Sequence, residues 1–238
     1  MTQPSNILSG SVSIKSLIIP TLSGFLLGVI ALGAVLFLPA WTLAYWQAWV
    51  FIIVFIGLVS LSGLYFSIKD PALIERRKNI EPAAQKSTGG KFNIIYVYLE
   101  LLAMLVLCAL DHHFGWSQMP AFLCIIGDGL VVLANVIWYV SKKENSFAGS
   151  AIKIYEDQKV ITTGLYALVR HPNYMGDLFL VFGVPLALGS WWGLVIFALL
   201  IPMMIWMIHD EEKFLKKELP GYVEYTQNVH YRLVPYLW

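Results

Sequence analysis

Apolar and polar positions do not alternate along this chain; they come in blocks. Six stretches, at about 17–38, 49–68, 92–110, 120–140, 174–188 and 191–208, are apolar at almost every position. At roughly 16 to 23 residues each, they match the length of helices that cross a bilayer. The pattern predicts five to six transmembrane helices in one polytopic all-α bundle. The last two blocks, joined by the tight 189–193 turn, form a carboxy-terminal helical hairpin. Residues 1–140 then carry four spans, and residues 141–238 carry a long polar loop, the hairpin and a cap, all in one integral membrane domain.

Details within the blocks refine this. Pro20 falls in a first turn, where proline is tolerated, and Gly24, Gly28 and Gly33 offer a smooth face for a neighbouring helix. Trp41, Tyr45, Trp46 and Trp49 read as an interfacial aromatic belt. Pro185 and Pro202 predict kinks in the hairpin. Span six reads as ending near Ile208, with a separate amphipathic helix over 211–218 and a break at Pro220 and Gly221. Asp70 and Pro71 read as the cap and first residue of a short helix lying on the membrane, with Arg76, Arg77 and Lys78 near lipid phosphates.

Composition agrees: 58% of residues are hydrophobic and 13% charged, with a mean hydropathy of +0.68. The net charge of +1 is uninformative, but its placement is not. All 16 Lys and Arg lie in the first tail, 69–91, 142–170 or 213–232, and none in the alternate connections. The positive-inside rule places the basic loops and both termini in the cytoplasm. No secretory signal is expected in the polar first tail. Cys108 and Cys124 lie in apolar spans and read as free thiols.

Few residues are left for chemistry. There is no phosphate loop, no Ser–His–Asp elbow, no Cys/His metal cluster and no basic–aromatic stripe for nucleic acid. Asp111, His112 and His113 lack a third ligand at metal spacing. Glu100 sits in mid-span, as a functional group or a protonated structural one. Asp128 and Asn135 share a helix face and read as interior hydrogen-bonders. His171 and Pro172 cap and start span five, leaving backbone N–H groups and a positive helix end suited to a carboxylate. Tyr166 and Tyr174 offer flat faces for an adenine or sulfonium. Glu211 and Glu212 can accept from hydroxyls or an ammonium. A hairpin that leaves from His171 and returns at Glu211 brings both ends to one membrane face, as a cytoplasmic cofactor pocket. Equally, Arg170 could pair with Glu211 or Glu212 simply to tie down loops.

The run from Gly164 to Gly176, with Arg170-His171-Pro172-Asn173-Tyr174 inside it, is followed by 185–193, 210–215, 219–225 and 232–235. With 70–77 and 144–147, these segments resemble the bacterial branch of the isoprenylcysteine carboxyl methyltransferase family. The resemblance implies S-adenosyl-L-methionine in a lidded cytoplasmic pocket and methyl transfer to a lipophilic or lipidated acceptor entering from membrane lipid. By position it implies cofactor contacts at Gln158, Lys159, Val160, Ile161, Tyr166, His171, Pro172, Asn173, Tyr174, Glu211 and Glu212. Acceptor contacts would involve Glu144, Asn145, Arg170 and Met207. Relatives carry an arginine where this chain has Met207, so either Arg170 meets the acceptor or the acceptor is another group, such as a lipid amine or thiol. Displacement at a sulfonium needs positioning and a deprotonated acceptor; no catalytic base is named, although Glu144 or His209 could partner an amine or thiol.

Two other readings stay open. Sterol reductases show a similar Arg-His-Pro-Asn-Tyr run and a similar ending at 231–236, which would imply an NADPH-dependent membrane reductase. A non-enzymatic membrane protein with a degenerate pocket is the third.

Overall fold

The computed structural model describes residues 14–71, 73–74, 88–147 and 158–238, with side chains from Pro20 in the first helix and from Ile95 in the third. Among these residues all regular structure is helical. The long helices are α1 (Ile14–Ala40), α2 (Trp46–Lys69), α3 (Thr88–Phe114) and α4 (Ala121–Glu144). A single 3-10 turn (Gly164–Ala167) leads to α5 (Pro172–Ala187), α6 (Gly193–Glu218) and the short α7 (Tyr222–Asn228). Asp70 does act as a cap, its Oδ1 accepting from the Leu73 N–H at 3.0 Å. The proposed membrane-lying segment at 76–78 falls outside the described residues.

Five helices, α1 to α4 and α6, are long and apolar enough to cross a membrane. Their outward side chains are large and apolar, with Leu27, Ile30, Ile53 and Ile125 each more than 60% exposed. A water-soluble protein would bury such a surface, whereas a bilayer solvates it. The helices alternate in direction, so their ends gather at two poles. One pole holds the 41–45, 115–120 and 188–192 connections, rich in tryptophan and without Lys or Arg. The other holds the basic segments. We call them the aromatic and basic poles.

The hairpin is lopsided. With 16 residues, α5 spans about 24 Å at 1.5 Å per residue, short of a hydrocarbon core. With 26 residues, α6 reaches about 39 Å and runs on well past Ile208. The predicted boundary there is therefore wrong: the charged run 210–218 continues the same helix, which meets no breaker until Leu219 and Pro220. The expected break follows, with Gly221 at φ +84°.

The closest helix pair, α4 and α5, packs through missing side chains. A Cβ on Gly127 would overlap the backbone of Ala187, and one on Gly183 would sit 2.9 Å from Leu130. On Gly176 it would meet Trp138 at 2.6 Å. This is close approach by small residues, the usual device for packing in lipid. It differs from the expectation for α1, where Gly28 alone meets a neighbouring helix, at Ile56; Gly24 has nothing near and Gly33 meets only its own Phe37. Leu36, Phe51, Met104, Val131, Val184 and Leu188 form the shared core.

The aromatic pole is closed by the Asp111 carboxylate. Asp111 is 1% exposed and accepts from the Ser117 N–H (2.7 Å), the Ser117 hydroxyl (2.6 Å) and the Ser190 hydroxyl. Ser117 Oγ in turn accepts from Trp191 N–H, and Ser190 Oγ from Gly193 N–H. Tyr45 is not part of an interfacial belt: it is fully buried, stacks on His112 at 3.8 Å and donates to Leu188 O at 2.7 Å. His113 bonds Ala40 O. The acid and histidines here tie α1, α3 and the hairpin turn together.

Candidate functional site

At the basic pole the chain crosses itself around the start of α5. Pro172 opens the helix behind His171, and no side chain caps it. Two backbone bonds pin the approach: Arg170 N–H donates to Tyr231 O and His171 N–H to Arg232 O, both at 2.9 Å. The carboxy-terminal segment thus lies alongside residues 170–171, and its own turn closes where Trp238 O accepts from the N–H groups of Arg232, Leu233 and Val234.

Glu212 is the knot beneath. Its Oε1 accepts from Arg170 Nε at 2.7 Å and faces His171 Nε2 at 3.4 Å. Its Oε2 accepts from Arg232 Nε at 3.3 Å and lies 3.9 Å from Lys216 Nζ. Arg170 Nη1 donates to Val229 O and His230 O. Arg170, His171 and Glu212 are each under 9% exposed. The tie-down that the sequence offered as one alternative is therefore present. It joins three distant segments, and Arg232 was not foreseen in it. Arg232 also lies over the Trp238 ring, which packs on His209.

The other expected residues distribute around this knot. Tyr166 is buried; its hydroxyl accepts from Ser141 (3.2 Å) and Asn145 (3.3 Å), and its carbonyl from the Tyr225 hydroxyl (2.6 Å). Burial pushes the Tyr166 hydroxyl pKa up; the Ser141 and Asn145 bonds oppose this, and the Glu211 and Glu144 carboxylates add to it. Glu144 and Glu211 therefore both lie beside Tyr166. Tyr174 lies against Glu211, with the His171 ring edge-on at 5.7 Å. Val160 packs into a small cluster of Leu215, Leu219, Tyr222, Tyr225 and Val229. Gln158 and Ile161 are half-buried and Lys159 is exposed. Met207 is half-buried one turn before Glu211 on α6.

Three polar atoms at this pole are buried with no hydrogen-bond partner: Glu144 Oε2, Asn173 Oδ1 and the Tyr222 hydroxyl. Others of the kind, on Gln47, Glu100 and Asp128, lie toward the aromatic pole or in mid-span. Burial, then the Glu212 and Glu211 charges, hold the Tyr222 hydroxyl pKa well above its ordinary value, so it stays a donor. Such atoms are rare in native interiors because each costs about 1–3 kcal/mol. A ligand with matching groups relieves them. Gly164 shapes the same wall: its φ is +56°, and a Cβ there would overlap the Glu144 carboxylate.

Comparison with known proteins adds to this geometry. Residues 122–220 match the family model described as phospholipid methyltransferase, a stretch covering α4, the head of α5 and all of α6. The chain is 33% identical over 114 residues to rice proteins (Oryza sativa subsp. indica and japonica) named "Probable protein-S-isoprenylcysteine O-methyltransferase", covering 46% of this chain and 60% of each. It is 32% identical over 85 residues to the mouse (Mus musculus) "Delta(14)-sterol reductase TM7SF2", covering 34% of this chain and 20% of that protein. The matches thus span a fifth to three fifths of those relatives' lengths. The class that the fold itself defines is a polytopic helical membrane bundle, with the matched stretch carrying its polar head. Over residues 122–220, less than half of the chain, it is similar to the phospholipid methyltransferase family.

Proposed function

We propose that this protein is an S-adenosyl-L-methionine-dependent methyltransferase that modifies a lipophilic acceptor at the membrane surface. The observation that carries the reading is the set of unpartnered buried atoms on Glu144, Asn173 and Tyr222, gathered at one pole within or just beyond the family-matched stretch. The residues present fit such a donor. The uncapped start of α5 offers backbone N–H groups and a positive helix end for its carboxylate. Glu211, beside Tyr174, and the Asn173 amide suit its ammonium and ribose hydroxyls. Tyr166 and Tyr222 supply ring faces and a hydroxyl. Glu212 holds the head of α5 in place and has no free oxygen for a ligand.

Bound there, S-adenosyl-L-methionine would supply an electrophilic methyl group. The chain's own part is to orient an acceptor in line with it and to keep water out, which can account for several kcal/mol of barrier lowering. The basic pole would face the cytoplasm, as the distribution of Lys and Arg requires. The acceptor would arrive from lipid, because α5 is too short to close the bundle at that level.

The mouse match favours one other reading, a reductase using NADPH. Thermal unfolding of the purified protein in detergent separates the two, since a ligand bound only by the folded state raises the midpoint. S-adenosylmethionine and S-adenosylhomocysteine are expected to stabilise the protein, and NADPH not to. Stabilisation by NADPH alone would replace the methyltransferase with the reductase.

A further inference from the structure

The segment that crosses residues 170–171 makes a turn that faces away from the protein. Beyond Arg232 the chain folds back, with Val234 O accepting from the N–H groups of Leu237 and Trp238. Pro235 and Tyr236 form the tip. Tyr236 has a φ of +65°, a left-handed conformation that is costly for a large side chain and cheap for glycine. Tyr236 is nonetheless 90% exposed, and Leu237 beside it is 80% exposed. The level of this tip follows from the helices it rests on. His209, whose ring packs on Trp238, stands sixteen residues beyond Gly193, about 24 Å along α6 at 1.5 Å per residue. His171, bonded to the segment through its N–H, is as far from Ala187 on α5. The two helices meet at the aromatic pole, where exposed Trp191 and Trp192 mark one membrane boundary. Both histidines therefore lie near the other boundary, where a hydrocarbon core of about 30 Å gives way to headgroups. The lipid-facing side of α6 leads up to it, with Ile205 and Trp206 exposed one turn below His209.

We propose that residues 231–238 are a membrane-surface anchor whose partner is the phospholipid bilayer itself. Tyr236 and Leu237 seat in the boundary between headgroups and acyl chains, and the bilayer thereby holds the segment against the head of α5. Lipid contact with the two side chains offsets the strained turn, while the phenol stays at the polar side of the boundary. The segment passes this on through its own bonds. Tyr231 O and Arg232 O accept from the N–H groups of Arg170 and His171, and Arg232 Nε donates to Glu212. The head of α5 is therefore set by the lipid surface as well as by the Glu212 knot, whatever ligand it takes. A second copy of the chain is the poorer occupant, since two side chains at a tip cover far less than the about 800 Å² per partner of a stable interface.

The test uses the full chain in phosphatidylcholine nanodiscs. Leu237→Cys is labelled with a nitroxide; Cys108 and Cys124 are buried, and wild type treated in the same way is the control. Oxygen, which concentrates among acyl chains, and a water-soluble nickel chelate are then compared as relaxers of the label. We expect oxygen to dominate severalfold. Dominance by the nickel chelate would put the tip in water, and shielding from both would put it against a second copy; either result overturns the anchor. Hydrogen–deuterium exchange reads the coupling, in wild type and in the Tyr236→Ser, Leu237→Ser double variant, whose changes lie on the exposed tip. We expect exchange at Arg170 and His171 to quicken about tenfold in the variant as local opening becomes easier, with Ser117 and Gly193 at the aromatic pole unchanged. Equal exchange at 170–171 would overturn the coupling. Quickening at both poles would mean a general loosening and would overturn it as well.

Discussion

The two ends of the α5–α6 hairpin are each held by one buried carboxylate, and they are held differently. At the turn, Asp111 is satisfied by neutral donors, two serine hydroxyls and a backbone N–H, with Tyr45 and His112 packed beside it. At the head, Glu212 is satisfied by charged donors from α5, the carboxy-terminal segment and its own helix. The serines and aromatic rings around Asp111 serve packing. Around Glu212 a tight knot sits next to Glu144, Asn173 and Tyr222, whose buried atoms have no partner. One end is a fastening; the other is a fastening beside buried polar atoms that have no partner.

That contrast can be broken most strongly at Glu212. Glu212→Ala leaves the Arg170 guanidinium buried without its partner, and removing one member of a buried pair costs about 3–5 kcal/mol. Thermal unfolding in detergent should show a large drop, and donor binding should fall with it as the head of α5 loosens. Asp111→Ala should also destabilise, on the order of 3 kcal/mol because buried hydroxyls and an N–H lose their acceptor. Its donor affinity should stay at the wild-type value, and a coupled loss would show that the two ends are not independent.

Gly164→Ala sharpens the picture at smaller scale. A side chain at φ +56° should cost about 1–3 kcal/mol, and its methyl would displace the Glu144 carboxylate. Methyl transfer should fall further than stability does. Last, Glu144→Gln should stabilise the fold slightly, by about 0.3–1 kcal/mol, since it removes an unpaired charge from a helix carboxy-terminus. A clear loss of stability in that variant would mean Glu144 is structural, like its neighbour Glu212.

Much of the architecture was readable from block pattern alone. Five long apolar helices, a short fifth one behind His171 and Pro172, and a break at Gly221 all follow from local rules of length, capping and backbone freedom. The Lys and Arg distribution marked the pole where Glu212 and the unpartnered atoms of Glu144, Asn173 and Tyr222 lie. The pairing of Arg170 with a glutamate was visible as one option, because the hairpin geometry brings both ends together. What escaped were contacts made across long stretches of chain. Nothing near Asp111 points to Ser190, 79 residues on, so the acid was considered with its histidine neighbours. Tyr45 resembles a belt residue until His112 is seen stacked upon it. Arg232 reads as a loop charge, and only the strap along residues 170–171 brings it to Glu212. Gly127, Gly176 and Gly183 carry no polar signal, and their role appears only when α4 and α5 are packed together. The end of α6 was misplaced because a charged run mimics a boundary; helix continuity depends on breakers, and none occurs between Ile208 and Leu219.

Hydrogen–deuterium exchange with and without S-adenosylhomocysteine tests the central claim that the donor is held at the basic pole. The account predicts new protection over 158–177 and 207–216, with the 188–193 turn unchanged. Protection at the turn, or exchange indifferent to S-adenosylhomocysteine but slowed at the head by NADPH, would contradict it.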